Sequence, residues 1–171
     1  MPKREYWNNC IAYLHKKEYN YVTYIATKSQ NIINLEGKSM SNETINEMKL
    51  KVMVVDDQAS VCREVTEFLK KDYEVSAFKS GADALEYLHK NVVDLIILDY
   101  YMPEMTGFET LMEIRLRKST AHIPVIFLTT ELNDRMETEM VTRGAEDYLR
   151  KPIDGEVLIA CVEKHLAANK Q

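Results

Sequence analysis

The 171 residues carry a formal net charge of −5, unevenly spread: residues 1–48 hold 6 Lys/Arg against 5 Asp/Glu, and residues 49–171 hold 16 against 22. A chain of this length accommodates one well-buried core and an extension, and the acidic balance of its larger part excludes unspecific nucleic-acid binding through that part. Cys10, Cys62 and Cys161 are too few and too scattered for a disulfide framework or a zinc site, and the weakly apolar stretch behind Lys3 and Arg4 is cut by His15, Lys16 and Lys17, so it is neither a secretory core nor a membrane span; the expectation is a soluble, cytoplasmic protein.

In chain order, residues 1–48 read unlike the rest. Tyr6, Trp7, Tyr13, Tyr19, Tyr21 and Tyr24 crowd the first half, and residues 27–47 have the polar composition of a linker. Residues 6–17 fit a short amphipathic helix, and residues 18–26 fit strand or helix. The segment reads as a remnant, as a partner-binding arm or, if translation begins at Met40, as a short lead-in. Its few basic residues favour a packing patch over a nucleic-acid stacking surface.

From Leu50 onward, short apolar runs alternate with segments of helical period, the pattern of βαβ units and a parallel sheet. The first strand is expected at 49–55, followed by a helix with Val61, Val65, Phe68 and Leu69 as its apolar stripe. A second strand spans 73–78, and Ser80 with Asp83 three residues on caps a short helix ending near His89. The third strand, 93–98, is continuously apolar and should be central, covered on both faces. Residues 102–107 break the chain before a helix carrying Phe108, Leu111, Met112 and Arg115 to about Arg117. Pro124 opens strand four at 125–128, a helix over 133–143 stops at Gly144, strand five is 147–149, and Asp154 caps a last helix with Leu158, Cys161, Val162 and Leu166.

Charged residues sit where these runs end: Asp56 and Asp57 after the first strand, Asp99 after the third, Lys151 after the fifth. In a parallel sheet the carboxyl ends share one edge, the crevice where open α/β sheets bind ligands. Three acids gathered there repel one another and imply a hard divalent cation with oxygen ligands, for which Mg²⁺ fits best. A lysine beside them makes the set a phosphoryl site. Taken singly, each residue has a plainer role: a solvated turn for Asp56 and Asp57, a helix cap for Asp99, a surface amine before a turn proline for Lys151, a strand former for Thr129. Their convergence is what reverses the reading.

The motifs Val54-Val55-Asp56-Asp57, Leu98-Asp99-Tyr100-Tyr101-Met102-Pro103-Glu104-Met105-Thr106-Gly107, Leu128-Thr129-Thr130, Gly144-Ala145 and Lys151-Pro152 occur in an order and spacing that resemble those of a known family. From Lys49 to about Ala168 the chain resembles the receiver domain of two-component response regulators, in the manner of a single chemotaxis-type receiver. The resemblance implies a flavodoxin-like, doubly wound α/β fold: a five-stranded parallel sheet in order 2-1-3-4-5, occupying 49–168, with residues 1–48 as an extension and 169–171 as a tail. It implies that Asp99 accepts a phosphoryl group from a sensor histidine kinase or phosphotransfer protein. Asp57 and Asp99 would bind Mg²⁺ directly with the Tyr101 backbone carbonyl, and Asp56 through a water. Lys151 and the Thr129 hydroxyl would contact phosphoryl oxygens, and Tyr148 would turn inward as Thr129 moves.

Tyr101, Thr130 and Glu131 depart from the commonest pattern around the nucleophile. A tyrosine there is expected to shield the acyl phosphate from in-line water and Glu131 to add negative charge at the rim, slowing self-dephosphorylation. Only one helix follows Lys151-Pro152, so the expected output is contact with a downstream protein through the helix 4, strand 5 and helix 5 face, with a phosphorylation-dependent homodimer left open and neither direct nucleic-acid nor membrane binding. Such a chain catalyses only its own phosphorylation and dephosphorylation. Two other functions compete. An aspartate-nucleophile phosphatase of the haloacid-dehalogenase type needs a second Asp two residues after the first, where this chain has Tyr101. A degenerate receiver or flavin-binding module is opposed by the retained charges and by the lack of a Ser/Thr/Gly-rich loop after strand one.

Overall fold

A computed structural model describes residues 49–131 and 134–168. The chain divides at Leu50, and the strands and helices of the described residues lie in the unit Lys51–Gln171. The helix expected at 6–17, the segment 18–26, the rest of the 1–48 extension and the 169–171 tail lie outside the described residues.

Strands and helices alternate: β1 (Lys51–Val55), α1 (Ala59–Leu69), β2 (Glu74–Phe78), α2 (Gly81–Leu88), β3 (Leu95–Asp99), α3 (Gly107–Leu116), β4 (Val125–Thr129), α4 (Asp134–Thr142), β5 (Asp147–Arg150) and α5 (Gly155–Ala168). The five strands are parallel in order β2-β1-β3-β4-β5, as the resemblance implied. β3 is buried at every residue because it lies in the middle and is covered on both faces. The edge strands β2 and β5 are only half-buried.

Side chains alternate across each strand, so the sheet feeds two apolar layers. On one face Met53, Val55, Ile96, Leu98 and Phe127 pack with Leu85 and Leu88 of α2, Leu111 and Ile114 of α3, and Met136 and Met140 of α4. On the other, α1 and α5 lie against each other and the central strands. The expected stripe on α5 is buried as read, with His165 added.

Several boundaries and faces differ from the sequence reading. β1 begins at Lys51 rather than residue 49, and β3 runs over 95–99, because Asp94 is diverted to close the strand ends: its N–H donates to the Lys51 carbonyl (2.8 Å) and its carboxylate accepts the Lys51 N–H (2.7 Å). On α1 the buried residues are Cys62, Val65 and Leu69, while the Phe68 ring turns to Gly155, where an added Cβ would lie 2.7 Å from it. On α3 the buried positions are Gly107, Thr110, Leu111 and Ile114; of the residues read onto this helix, Leu111 is buried and Phe108, Met112 and Arg115 are half-buried. A capping box fixes the start of this helix: Thr106 Oγ1 accepts the Glu109 N–H (3.2 Å) and Glu109 Oε2 accepts the Thr106 N–H (2.8 Å). The caps expected from Ser80 and Asp154 are present: Ser80 Oγ accepts the Asp83 N–H and Asp154 Oδ1 accepts those of Glu156 and Val157. Gly144 ends the α4 segment at φ +88°, a conformation that favours glycine.

Gly107 is where fold and site meet. Its N–H donates to the Tyr100 carbonyl (3.1 Å), and a Cβ built on it would lie 2.0 Å from the Asp99 carbonyl oxygen. No rotamer relieves a clash with backbone, so we expect Gly107→Ala to destabilise the protein by about 2–4 kcal/mol, read as a lower urea midpoint. An unchanged midpoint would show that α3 is not seated by this approach.

Candidate functional site

The parallel register places the carboxyl ends of β1, β3 and β5 side by side. Asp56 follows β1 and is held there by its N–H, which donates to the Phe78 carbonyl of β2 (3.0 Å). Its Oδ1 accepts the Gln58 N–H (2.9 Å), which turns the chain into α1 and fixes the carboxylate. Asp99 is the last residue of β3 and Lys151 the first after β5, with the Lys151 N–H on the Thr129 carbonyl (2.8 Å).

Those backbone anchors aim three side chains at one point. Lys151 Nζ lies 2.9 Å from Asp99 Oδ1 in a hydrogen bond and 2.6 Å from Asp56 Oδ2. The second contact is the shorter of the two and ties the ammonium to an Asp56 oxygen that water does not reach. Asp56 is 0% exposed and Asp99 3% exposed, whereas Asp57 faces solvent. Oxygens of all three carboxylates lie within 4.8 Å of one another.

Burial and charge pull these groups in opposite directions. Desolvation is the largest influence on Asp99 and pushes its carboxyl above the usual range, aided by Asp56 and Asp57 and opposed by Lys151. Burial works against the Lys151 ammonium too, yet its contacts with Asp56 and Asp99 hold it above the ordinary lysine value. Three carboxylates against one ammonium leave the pocket short of positive charge. Three carboxylates with oxygens this close, two of them buried, form an oxygen-only donor set that fits a hard cation such as Mg²⁺.

Other residues singled out in the sequence gather around this pocket. Thr129, fully buried at the end of β4, donates its hydroxyl to the Glu131 carbonyl (2.5 Å) rather than into the carboxylate cluster. Tyr148 stands on β5 opposite Phe127 and packs half-buried on the apolar layer. Tyr101 is 48% exposed, its ring edge-on to Tyr100 and its hydroxyl donating to Met136 Sδ of α4 (3.6 Å). Thr130 and Glu131 are exposed just beyond β4. The reading missed three supports: the Gln58 N–H, the Met136 contact and the seating of Gly107. Only the Thr106-x-x-Glu109 spacing beside Gly107 signalled any of them.

The raised Asp99 carboxyl carries a stability consequence. The folded state binds this proton more tightly than the unfolded chain, so the penalty is absent below the ordinary value of 3.8 and develops as pH rises through the higher folded value. Asp99→Asn is therefore expected to raise the melting temperature of metal-free protein at pH 7, on the order of a few degrees, with the gain shrinking toward pH 4. An Asn variant that melts lower than wild type in chelator at pH 7 would contradict this.

Comparison with known proteins agrees with this geometry. Residues 52–163 match the response regulator receiver domain. Similar curated proteins include a probable cyclic di-GMP phosphodiesterase of Vibrio cholerae serotype O1, 38% identical over 115 residues, which are 67% of this chain and 26% of that protein. Regulatory protein VanRc of Enterococcus gallinarum is 34% identical over 120 residues, 70% of this chain and 51% of its own. The chain thus spans about a quarter to a half of the length of these relatives. Among solved structures, chemotaxis protein CheY4 of Vibrio cholerae superposes with a TM-score of 0.66 at 34% identity, covering 68% of this chain and 98% of that one. With this match, the 2-1-3-4-5 sheet and the convergence of Asp56, Asp57, Asp99 and Lys151, the chain belongs to the response regulator receiver domain family of two-component systems.

Proposed function

We propose that the chain is a phosphorylation-controlled switch in which Asp99 takes a phosphoryl group from the phosphohistidine of a sensor kinase or phosphotransfer protein. The observation that carries this reading is Lys151 Nζ poised between Asp56 and Asp99, with Asp57 alongside. In the reaction an Asp99 carboxylate oxygen bonds to phosphorus as the phosphorus–nitrogen bond breaks, and the donor imidazole keeps the electron pair. Carboxylate is a weak nucleophile, so rate comes from positioning and charge neutralisation. Asp57, Asp99 and the Tyr101 carbonyl would hold Mg²⁺ directly and Asp56 would hold it through a water; bound there, the ion neutralises charge on the transferring group.

Lys151 passes from its carboxylate partners to a phosphoryl oxygen. Thr129 exchanges the Glu131 carbonyl for another phosphoryl oxygen, which shifts the end of β4 and the neighbouring Tyr148. The altered face of α4, β5 and α5 then meets a downstream protein or a second copy of the chain. Tyr101, tethered to Met136, shields the acyl phosphate from water, with Thr130 and Glu131 at the rim. The functional domain is 49–168, acting on itself rather than on a released substrate, with 1–48 and 169–171 as appendages. Among the described residues no helix is long and apolar enough to cross a membrane, in keeping with a cytoplasmic role.

Incubation with acetyl phosphate and intact-mass measurement tests the proposal. Wild type with Mg²⁺ should gain one phosphoryl group, Asp99→Asn none, and Lys151→Ala should label about 100-fold more slowly or worse. Labelling that persists in Asp99→Asn, or steady turnover of a phosphomonoester, would overturn the assignment. Tyr101→Asn is expected to shorten the lifetime of the labelled protein several-fold; loss of label from wild type within seconds, or slower loss in the variant, would remove the shielding role.

A further inference from the structure

At the opposite end of β5 from Lys151, Asp147 faces two α5 residues one helical turn apart, Cys161 and His165. The sulfur, an imidazole nitrogen and a carboxylate oxygen lie within 4.8 Å of one another, and both α5 residues are buried. The proposed phosphoryl chemistry uses none of the three. Thinly spaced cysteines argued against zinc in the linear sequence; the fold joins one donor from β5 to two from α5.

We propose that Asp147, Cys161 and His165 form a second divalent-cation site, selective for a borderline-soft ion of which Zn²⁺ is the type, distinct from the acidic pocket around Asp99. The donor set is the first reason. One thiolate, one imidazole and one carboxylate are ligands zinc takes readily and Mg²⁺ does not, whereas the pocket around Asp99 is all oxygen. The geometry is the second. Tetrahedral zinc at ordinary bond lengths sets its donors about 3.3–3.7 Å apart, inside the cluster's span; the His165 Nε2 to Asp147 Oδ2 contact of 2.7 Å need open by only about half an ångström once the proton between them leaves Nε2, for Nδ1 or for solvent. The carboxylate is also pre-aimed, because Asp147 Oδ1 accepts the Tyr148 N–H (3.0 Å) and leaves Oδ2 turned to α5.

One competitor stands in the way. Lys164 Nζ sits 2.8 Å from the same Oδ2, but its side chain is 66% exposed and leaves toward solvent without burying a charge. In the metal-free protein, burial first and then the Asp147 charge push the Cys161 thiol up to about 12. A dication beside the sulfur reverses that local sign, so the thiol ligates as thiolate and releases its proton to solvent. Three protein ligands leave a fourth position for water or for a donor from another molecule. Occupied, the site ties the start of β5 to α5 and sets free an ammonium at Lys164.

The experiment uses the full chain with Cys10→Ser and Cys62→Ser, so that Cys161 is the remaining thiol, titrated with Co²⁺ and then Zn²⁺ in excess Mg²⁺. One Co²⁺ per chain should bind with a near-ultraviolet thiolate-to-cobalt band that stoichiometric Zn²⁺ bleaches, and Asp57→Asn should leave both unchanged. Cys161→Ser should lose the band, and His165→Phe should weaken Zn²⁺ by at least the roughly 10- to 100-fold that disturbing a ligand's supporting shell costs. Lys164→Ala should bind as tightly or tighter. A parent protein without the band, or a band lost with Asp57→Asn, overturns the proposal; if a ligand variant fails to fold by circular dichroism, the parent's band and the Lys164→Ala titration decide.

Discussion

A lysine ammonium wedged between two carboxylates that water hardly reaches is the contact on which the site depends. Asp56 and Asp99 come from neighbouring strands and Lys151 from the sheet's far edge, so the three meet only if every strand between them is in register. An uncompensated charge in such surroundings is costly. The ammonium makes the cluster tolerable without making it neutral, since three carboxylates share one lysine. A pocket left in that condition has an affinity for positive charge built into its ground state.

The same ends of β4 and β5 also hold the groups that would report on a change there. Thr129 and Lys151 are linked backbone to backbone, so neither can shift without the other. Tyr148 is paired with Phe127, two residues before Thr129, and its half-buried ring rests on the layer that includes Met136 and Met140 of α4. Tyr101 reaches α4 from the other side, through Met136. Packed interiors transmit displacement rather than absorb it, and both sets of contacts end on the buried methionine layer of α4.

How much of this was legible in the sequence follows from how local each signal is. The strands were, because Leu95 to Leu98 cannot be covered on both faces anywhere but mid-sheet, and the caps at Ser80 and Asp154 were, because a cap acts on residues two or three positions away. The acidic cluster became legible once strand ends were assumed to share an edge. The buried face of α3 was legible only at Leu111: Thr110 and Ile114 are buried as well, beyond the point where Gly107 seats the helix against Asp99. Phe68 belongs to a stripe by spacing, but the bare backbone at Gly155 draws its ring across to α5. Asp147 meeting Cys161 and His165 had no linear signature, since a strand and a helix contribute from positions that spacing alone does not relate.

Arg115, half-buried on α3, has a task of its own. Its guanidinium donates to the carbonyls of Ile123 and Gly144 and pairs with Glu146 (3.0 Å), while Glu146 accepts the Val125 N–H (2.6 Å). These bonds rivet the entry of β4 to the entry of β5, at the end of both strands remote from Thr129 and Lys151. A plank fastened at one end moves by tilting. A shift begun at the unriveted tips would therefore pivot about Arg115 and grow with distance from it, reaching the outer face as a change of angle while the strands keep their pairing.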